Sequence, residues 1–363
     1  MSTNPASLSP QGRVRPLPPR PGGLFEPKRI GEMSAGGKVI VYSLLLLWTA
    51  FVLFPLYWVL VTSFKLPIDV NSGPFYIPFV DFQPNLHAWR DLLVTGLGDT
   101  AKPYINSIII ALASTLLCML IGSMAAYALA RITYKPKLGT ILLFVICMIG
   151  MSVAVGLAGL DWRVAAAIAV ACFFLLARAL SKRFKRQVAN GDILFWVISQ
   201  RILPPVVTVI PIYMMFQNIR LLDTHLGLIL CYTVVNLPIV VWLMYDFFSS
   251  IPIDLEESAE LDGASRFYIF FDIVLPLARA GLAATTLLVL ILAWNEYVLA
   301  LFLSTTKAQT MPILVAAMNA GEKGILWWTM SVVIIIMILP VILMALILQR
   351  FIAKGVLLGA VKG

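Results

Sequence analysis

Glu257-Ser258-Ala259-Glu260-Leu261-Asp262-Gly263, followed after nine intervening residues by Ile273-Val274-Leu275-Pro276, is a polar, helix-forming stretch in an otherwise strongly apolar chain. Apolar runs flank it, Leu226 to Tyr245 upstream and Leu282 to Ser304 downstream. Each is as long as a membrane-spanning helix, which needs roughly 20 mostly apolar residues, so the polar stretch reads as a loop between two spans. The whole chain agrees: 60% of its residues are hydrophobic and 12% charged, with a mean hydropathy of +0.93. Soluble domains carry about 25% charged residues. The alternating ten-residue strands of a membrane barrel do not occur, so the fold class is all-α and polytopic.

Working outward, the remaining spans fall at Val39 to Thr62, Tyr104 to Ala130, Ile193 to Gln217 and Ile325 to Gln349. Between the second of these and Ile193 lie two apolar runs, Leu138 to Leu160 and Val164 to Ala177, joined by Asp161-Trp162-Arg163. Fourteen residues is short for a crossing, but basic groups stand before the pair (Arg131, Lys135, Lys137) and after it (Arg178, Lys182, Arg183, Lys185, Arg186). Both groups prefer the cytoplasm. The pair therefore crosses an even number of times, as a helical hairpin whose second arm Arg178 can lengthen by snorkelling. Eight spans result, with both termini cytoplasmic. Of the 27 basic residues, only Lys65, Arg90, Lys102, Arg163, Arg220, Lys307 and Lys323 fall outside, and Arg201 lies within a span. The positive-inside effect accounts for the net charge of +9, so nucleic acid is not an expected partner. The organisation is a Pro-rich, disordered cytoplasmic tail over 1–38, a first membrane part over 39–137, the hairpin over 138–192, and a second part over 193–363 with the polar loop at about 250–281.

Inside that loop Pro252 suits a helix start, and Asp254, Glu256 and Glu257 occupy the first turn, where carboxylates favour the helix dipole. Leu255, Ser258, Ala259 and Asp262 fall on one face at helical spacing, and Gly263 is placed to end the helix in the left-handed conformation. Arg266 to Val274 forms a second short helix, stopped by Pro276. The elbow has small residues, Ser258 and Ala259, that let it lie deep in a groove, with carboxylates to meet a basic rim. A solvated acidic loop is the plain alternative on composition alone.

This elbow resembles the Glu-Ala-Ala, three residues, Gly, nine residues, Ile, one residue, Leu-Pro signature of binding-protein-dependent importer permeases. Glu257, Ala259, Gly263, Ile273, Leu275 and Pro276 match it, Ser258 replaces the middle Ala, and Asp262 before the Gly is also typical. Asn106-Ser107, Ala125 to Arg131, Arg201 to Pro205, Leu221 to Thr224, Asn236-Leu237-Pro238, Ala293 to Tyr297 and Gly359 to Gly363 resemble the maltose-type, carbohydrate-importing branch of ABC transporters. The resemblance covers residues 38–137 and 193–363. It implies a six-helix permease core in a bacterial inner membrane, a second homologous permease subunit, two ATPase subunits gripping the elbow, and an extracytoplasmic solute-binding protein. It also implies that ATP and magnesium are bound by the partner ATPase, and that this chain is no enzyme. Gly31 to Lys38 has the wrong spacing for a phosphate loop, and Val39 stands where Ser or Thr would hold magnesium. The usual pattern runs straight from the second span into the third, so residues 138–192 read as an insertion: a peripheral lipid-facing pair, or a docking site for another membrane protein.

Polar groups and aromatics inside the bilayer mark candidate substrate contacts: Asn236, Trp242, Asn295 and Tyr297, with Arg201 and Glu296 more suited to holding helices or subunits in register. Interrupted helices favour transporter sites, and Pro204-Pro205, Pro211 and Pro238 are expected to interrupt theirs. Each polar candidate also has a plain role bonding across helices. The cysteines lie in apolar runs and the two histidines, His87 and His225, in loops, with no metal-binding spacing. Two rivals remain: a secondary transporter driven by an ion gradient, for which Glu296 is the carboxylate, and a non-transporting scaffold.

Overall fold

The structure is a computed structural model and describes residues 33–180, 183–319 and 325–359. Residues 1–32 of the expected tail, Lys182, Lys323 and the last four residues lie outside the described residues. The described chain is helical, with two isolated bridges and no strand. The first helix, α1 (Ala35–Thr62), begins four residues before the expected span because the Ser34 hydroxyl accepts from Gly37 N at 3.0 Å and caps it. A connecting segment follows with two short helices, α2 (Pro67–Ser72) and α3 (His87–Arg90). Lys65, counted above as an outer charge, is fully buried there. Its ammonium donates to the Phe75 carbonyl and sits 4.2 Å from the centre of the Trp58 ring. Burial lowers its pKa, and Asp69 and Asp81 oppose that shift.

Helix α4 (Leu97–Arg131) starts seven residues before the expected span and carries Pro103 inside it. The hairpin is α5 (Leu138–Ala158) and α6 (Trp162–Leu180). Its second arm has 19 residues rather than fourteen, about 28 Å of helix, enough to cross. Gly159, in the left-handed region at φ 62°, ends α5.

Helix α7 (Asn190–Ser199), extended by a tight turn to Ile202, meets α8 (Pro205–Asn218) at 89°. The expected straight span is thus broken. Leu203, before a proline, is pushed to ψ 126°, Pro204 is extended, and Pro205 takes the first helical position, where no N–H is required. Pro211 and Pro238, by contrast, lie inside continuous helices, α8 and α9 (His225–Ser249). The elbow follows as α10 (Asp254–Leu261), then α11 (Arg266–Tyr268), a wide turn over Ile269–Val274, and α12 (Leu275–Leu277). The expected Leu282–Ser304 span is also divided, into α13 (Arg279–Trp294) and α14 (Val298–Leu303), with Asn295 to Tyr297 between them. Helices α15 (Met311–Met318) and α16 (Trp327–Gly359) complete the chain.

Among the described residues six helices are long and apolar enough to cross a membrane, or up to eight when each bent pair is taken as one span. The core is built on α4 against α9. Helices in lipid lack a hydrophobic drive to associate and approach through small residues. Here Gly122 brings the backbones so close that a Cβ would stand 2.6 Å from Val240 Cγ1. Toward the elbow Cys118, Ala126, Val240, Met244 and Phe248 join Ile269, Phe270 and Val274 in one buried inner cluster. The elbow is therefore packed onto the ends of the central helices.

Candidate functional site

The elbow is held by a buried ion pair. Glu256 turns toward the protein and is 6% exposed. Its Oε1 accepts from Arg131 Nε at 2.6 Å and its Oε2 from the Tyr127 hydroxyl at 2.6 Å, while Arg131 Nη2 donates to the Ile251 carbonyl at 3.0 Å. Both charges are thus paired and hydrogen-bonded, as burial demands. The opposite face of α10 is bare: Leu255, Glu257, Ser258 and Asp262 are exposed, and Leu261 is 89% exposed. Ala259 departs from the expected outward face. Three residues from Glu256, it shares the buried side and packs on the inner cluster, so its small size serves the chain's own packing. Gly263 adopts φ +85° with open space around its Cβ position. Its requirement is conformational, since an L-residue there costs about 1–2 kcal/mol. Ile273 and Leu275 are half-buried in the inner cluster, and Pro276 is exposed just before the 81° bend into α13. The elbow thus presents an acidic surface with exposed apolar residues, Leu261, Phe267 and Tyr268, rigidly joined to α4 on one side and α13 on the other.

A second constellation lies at the opposite end. Asp223, at φ 55°, places its carboxylate among the backbone N–H groups of Thr305, Thr306, Lys307 and Ala308, with the Thr305 hydroxyl at 2.8 Å. Burial alone would raise its pKa, but these donors outweigh it and hold the carboxyl well below the usual range. Asn106 Nδ2 donates to the carbonyls of Lys307 and Gln309, its Oδ1 lies 2.7 Å from His225 Nε2, and Ser107 Oγ accepts from Met311 N. The loop from α14 to α15 is thereby tied to the starts of α4 and α9.

Between these ends, the break at 203–204 and the break at 295–297 share a cavity of about 340 Å³, lined by Gln200, Arg201, Leu203, Pro205, Thr208, Ile212, Val234, Val235, Pro238 and Glu296.

Residues 179–358 match the family model described as the binding-protein-dependent transport system inner membrane component. Over 325 residues the chain is 30% identical to a probable ABC transporter permease protein, y4oR, of Sinorhizobium fredii, covering 87% of this chain and 95% of the relative. This chain belongs to that permease family. It is also 28% identical over 314 residues to the trehalose/maltose transport system permease protein MalG of Thermococcus litoralis, covering 86% and 92% of the two chains. With the diacetylchitobiose uptake system permease protein NgcG of Streptomyces coelicolor it shares 28% identity over 326 residues, covering 89% and 88%. The fold is similar to a chain of a bacterial ABC transporter involved in the import of the acidic polysaccharide alginate, with a TM-score of 0.57 at 20% identity, covering 86% and 95%.

Of the permease's expected substrate contacts, Asn236 is buried and turned back onto its own helix, donating to the Tyr232 carbonyl at 2.9 Å. Asn295 donates to the Ile291 carbonyl and is exposed at the second break, beside the exposed Tyr297. Trp242 is exposed farther along α9. None of these four lines the cavity. Arg201 and Glu296 do line it, and each also holds a helix: Arg201 Nη1 donates to the Val235 carbonyl at 3.0 Å, and Glu296 Oε1 accepts from Leu299 N at 3.1 Å, capping α14. Gln200 and Thr208, also on the cavity wall, carried no signal beyond their place beside Pro204-Pro205. The Arg131–Glu256 pair was missed because its partners are 125 positions apart.

Proposed function

We propose that this permease forms half of the translocation pore of an ATP-driven importer for a carbohydrate or polyol in a bacterial inner membrane. A second homologous permease supplies the other half, two ATPase subunits bind ATP and magnesium, and a solute-binding protein delivers cargo at the outer face. Both termini are cytoplasmic, and the elbow at 250–281 is where one ATPase docks. The observation that carries this reading is the construction of α10. Glu256 is locked to Arg131 while Leu261, on the opposite face of α10, stands almost wholly in the open. Leu261, Phe267 and Tyr268 are all exposed on the elbow, and several apolar residues together, beside the carboxylates of Glu257, Glu260 and Asp262, suit a partner groove with a basic rim. The carbohydrate class rests on the relatives from Thermococcus and Streptomyces, named for trehalose/maltose and diacetylchitobiose.

ATP-driven closure of the ATPase pair would move the two elbows, turn the pore outward to receive solute, and hydrolysis would let it return inward. Leu261→Asp tests the docking. The side chain makes no intramolecular contact of consequence, so the fold is expected to survive while copurifying ATPase falls about tenfold or more. Undiminished ATPase binding and uptake would count against the elbow as the docking site. Uptake abolished by disabling the ATPase, and untouched by proton and sodium ionophores, separates this reading from an ion-driven carrier.

A further inference from the structure

Arg201 and Glu296 are charges of opposite sign on one small cavity within the membrane-spanning region, yet they do not close on each other. The hydrogen bonds of Arg201 and Glu296 run instead to the backbone of Val235 and Leu299. Charged groups at such depth are costly and face protein or water-filled space. Arg201 stands about halfway along the broken span Asn190–Asn218, and its carbonyl partner Val235 near the middle of α9. One of its five donors is committed to that carbonyl. Glu296 spends one oxygen on the Leu299 N–H. The remaining guanidinium donors and carboxylate lone pairs, together with Gln200 and the Thr208 hydroxyl, line about 340 Å³ between two helix breaks, a volume in the range of small-molecule sites.

We propose that this cavity is a solute subsite contributed by this chain itself, and that it takes an uncharged polyhydroxylated molecule. The inference rests on the importer reading and deepens it. A pair of neighbouring hydroxyls donates to a carboxylate and accepts from a guanidinium at once, which satisfies both charges without either having to find the other. Leu203 and Pro238 offer apolar wall to the C–H face of the ring. The charges of the two groups cancel, so an acidic sugar would gain from Arg201 only what it loses to Glu296.

The test uses the assembled permease–ATPase complex without binding protein, and measures binding of trehalose, maltose, diacetylchitobiose and glucuronate by saturation-transfer NMR. Glu296→Gln keeps an oxygen for the Leu299 N–H, so α14 stays capped, and Arg201→Lys keeps the charge but loses the fork. Thr208→Phe fills the cavity and guards against a variant that fails to fold; the thermal midpoint of each complex is recorded beside it. A neutral sugar is expected to bind the wild type, about tenfold more weakly in Glu296→Gln and Arg201→Lys and not at all in Thr208→Phe. In Glu296→Gln the preference should move toward glucuronate, which a merely structural role would not produce. Half-saturation of uptake should rise in the same variants while loaded binding protein still stimulates ATP hydrolysis. The proposal is overturned if no neutral probe binds the wild type, or if binding is equal in all variants. Should wild-type uptake run without the ATPase, the importer reading fails instead. ATP-driven uptake that ignores all three substitutions removes the subsite alone.

Discussion

Arg131 and Glu256 show how much rests on single side chains. Each is nearly buried, 12% and 8% exposed, so removing one leaves the other as an uncompensated charge, at about 3–5 kcal/mol. Arg131→Met is therefore expected to lower the thermal midpoint of the extracted permease and to release the ATPase. Arg131→Met combined with Glu256→Gln should regain much of the stability, because no lone charge then remains, and a double variant no better than the single one would show that the pair is not the strut. Asp223 behaves as the counterpart at the other end of the molecule. Its folded pKa lies below the ordinary carboxylate value of about 3.9 because backbone donors favour the charged form over the opposing effect of burial. Its contribution is thus complete above about pH 4 and disappears as the pH falls through the folded value. Asp223→Asn should cost about 1–3 kcal/mol at neutral pH. The gap between variant and wild type should narrow on acidification, measured as thermal midpoints from pH 7 down to pH 3.

At the scale of elements, what was legible in the sequence is what local chemistry controls. The elbow was readable because its parts are neighbours in the chain: acidic first turn, Gly263 at a left-handed turn, Pro276 before the bend. The Pro204-Pro205 break was readable as a break, but not its 89° angle, which follows from how α7 and α8 pack on α9 and α14. The division at 295–297 left no proline or glycine to announce it, and is made by Glu296 capping α14 instead. The hairpin's second arm is longer than its apolar run because the helix takes in Trp162 and Arg163 from the expected turn and continues past Arg178 to Leu180. The base of the hairpin is closed by hydrogen bonds between its two ends. Leu138 N donates to the Arg186 carbonyl and Val188 N to the Pro136 carbonyl, both at 2.9 Å. Asn190, opening α7, accepts from Tyr134 N and donates to the carbonyls of Leu129 and Ile132. The chain leaving α4 and the chain entering α7 are thus fastened together below the hairpin, so the core closes without it. Replacing residues 139–185 with a short Gly/Ser linker should leave thermal stability and uptake within about twofold, since few buried contacts are lost; abolished uptake with an intact fold would reveal an essential docking role.

At the scale of the molecule, α13 is the connecting rod. It starts at the elbow's 81° bend and ends 16 residues later at the break beside Glu296. Gly281 allows it to sit against Phe247 so closely that a Cβ would fall 2.3 Å from the ring, and Trp294 Nε1 donates to the Met337 carbonyl on α16 at its other end. Close-packed interiors transmit strain, so under the proposed docking a push on α10 and the inner cluster is expected to reach Asn295 to Tyr297 through α13. Motion of the elbow and reshaping of the central cavity are then one event, which is what coupling by a distant ATPase requires. Asn295 is exposed at that break and accepts a reporter. With Cys147 and Cys172, the less buried cysteines, replaced by Ser, Asn295→Cys carrying an environment-sensitive fluorophore should change its emission when ATP and magnesium bind the assembled complex. Adding Leu261→Asp should abolish that change while leaving the label's starting spectrum unaltered, because the rod is intact and only its drive is disconnected. A response that persists without a docked ATPase would mean that nucleotide acts by some other route than the elbow.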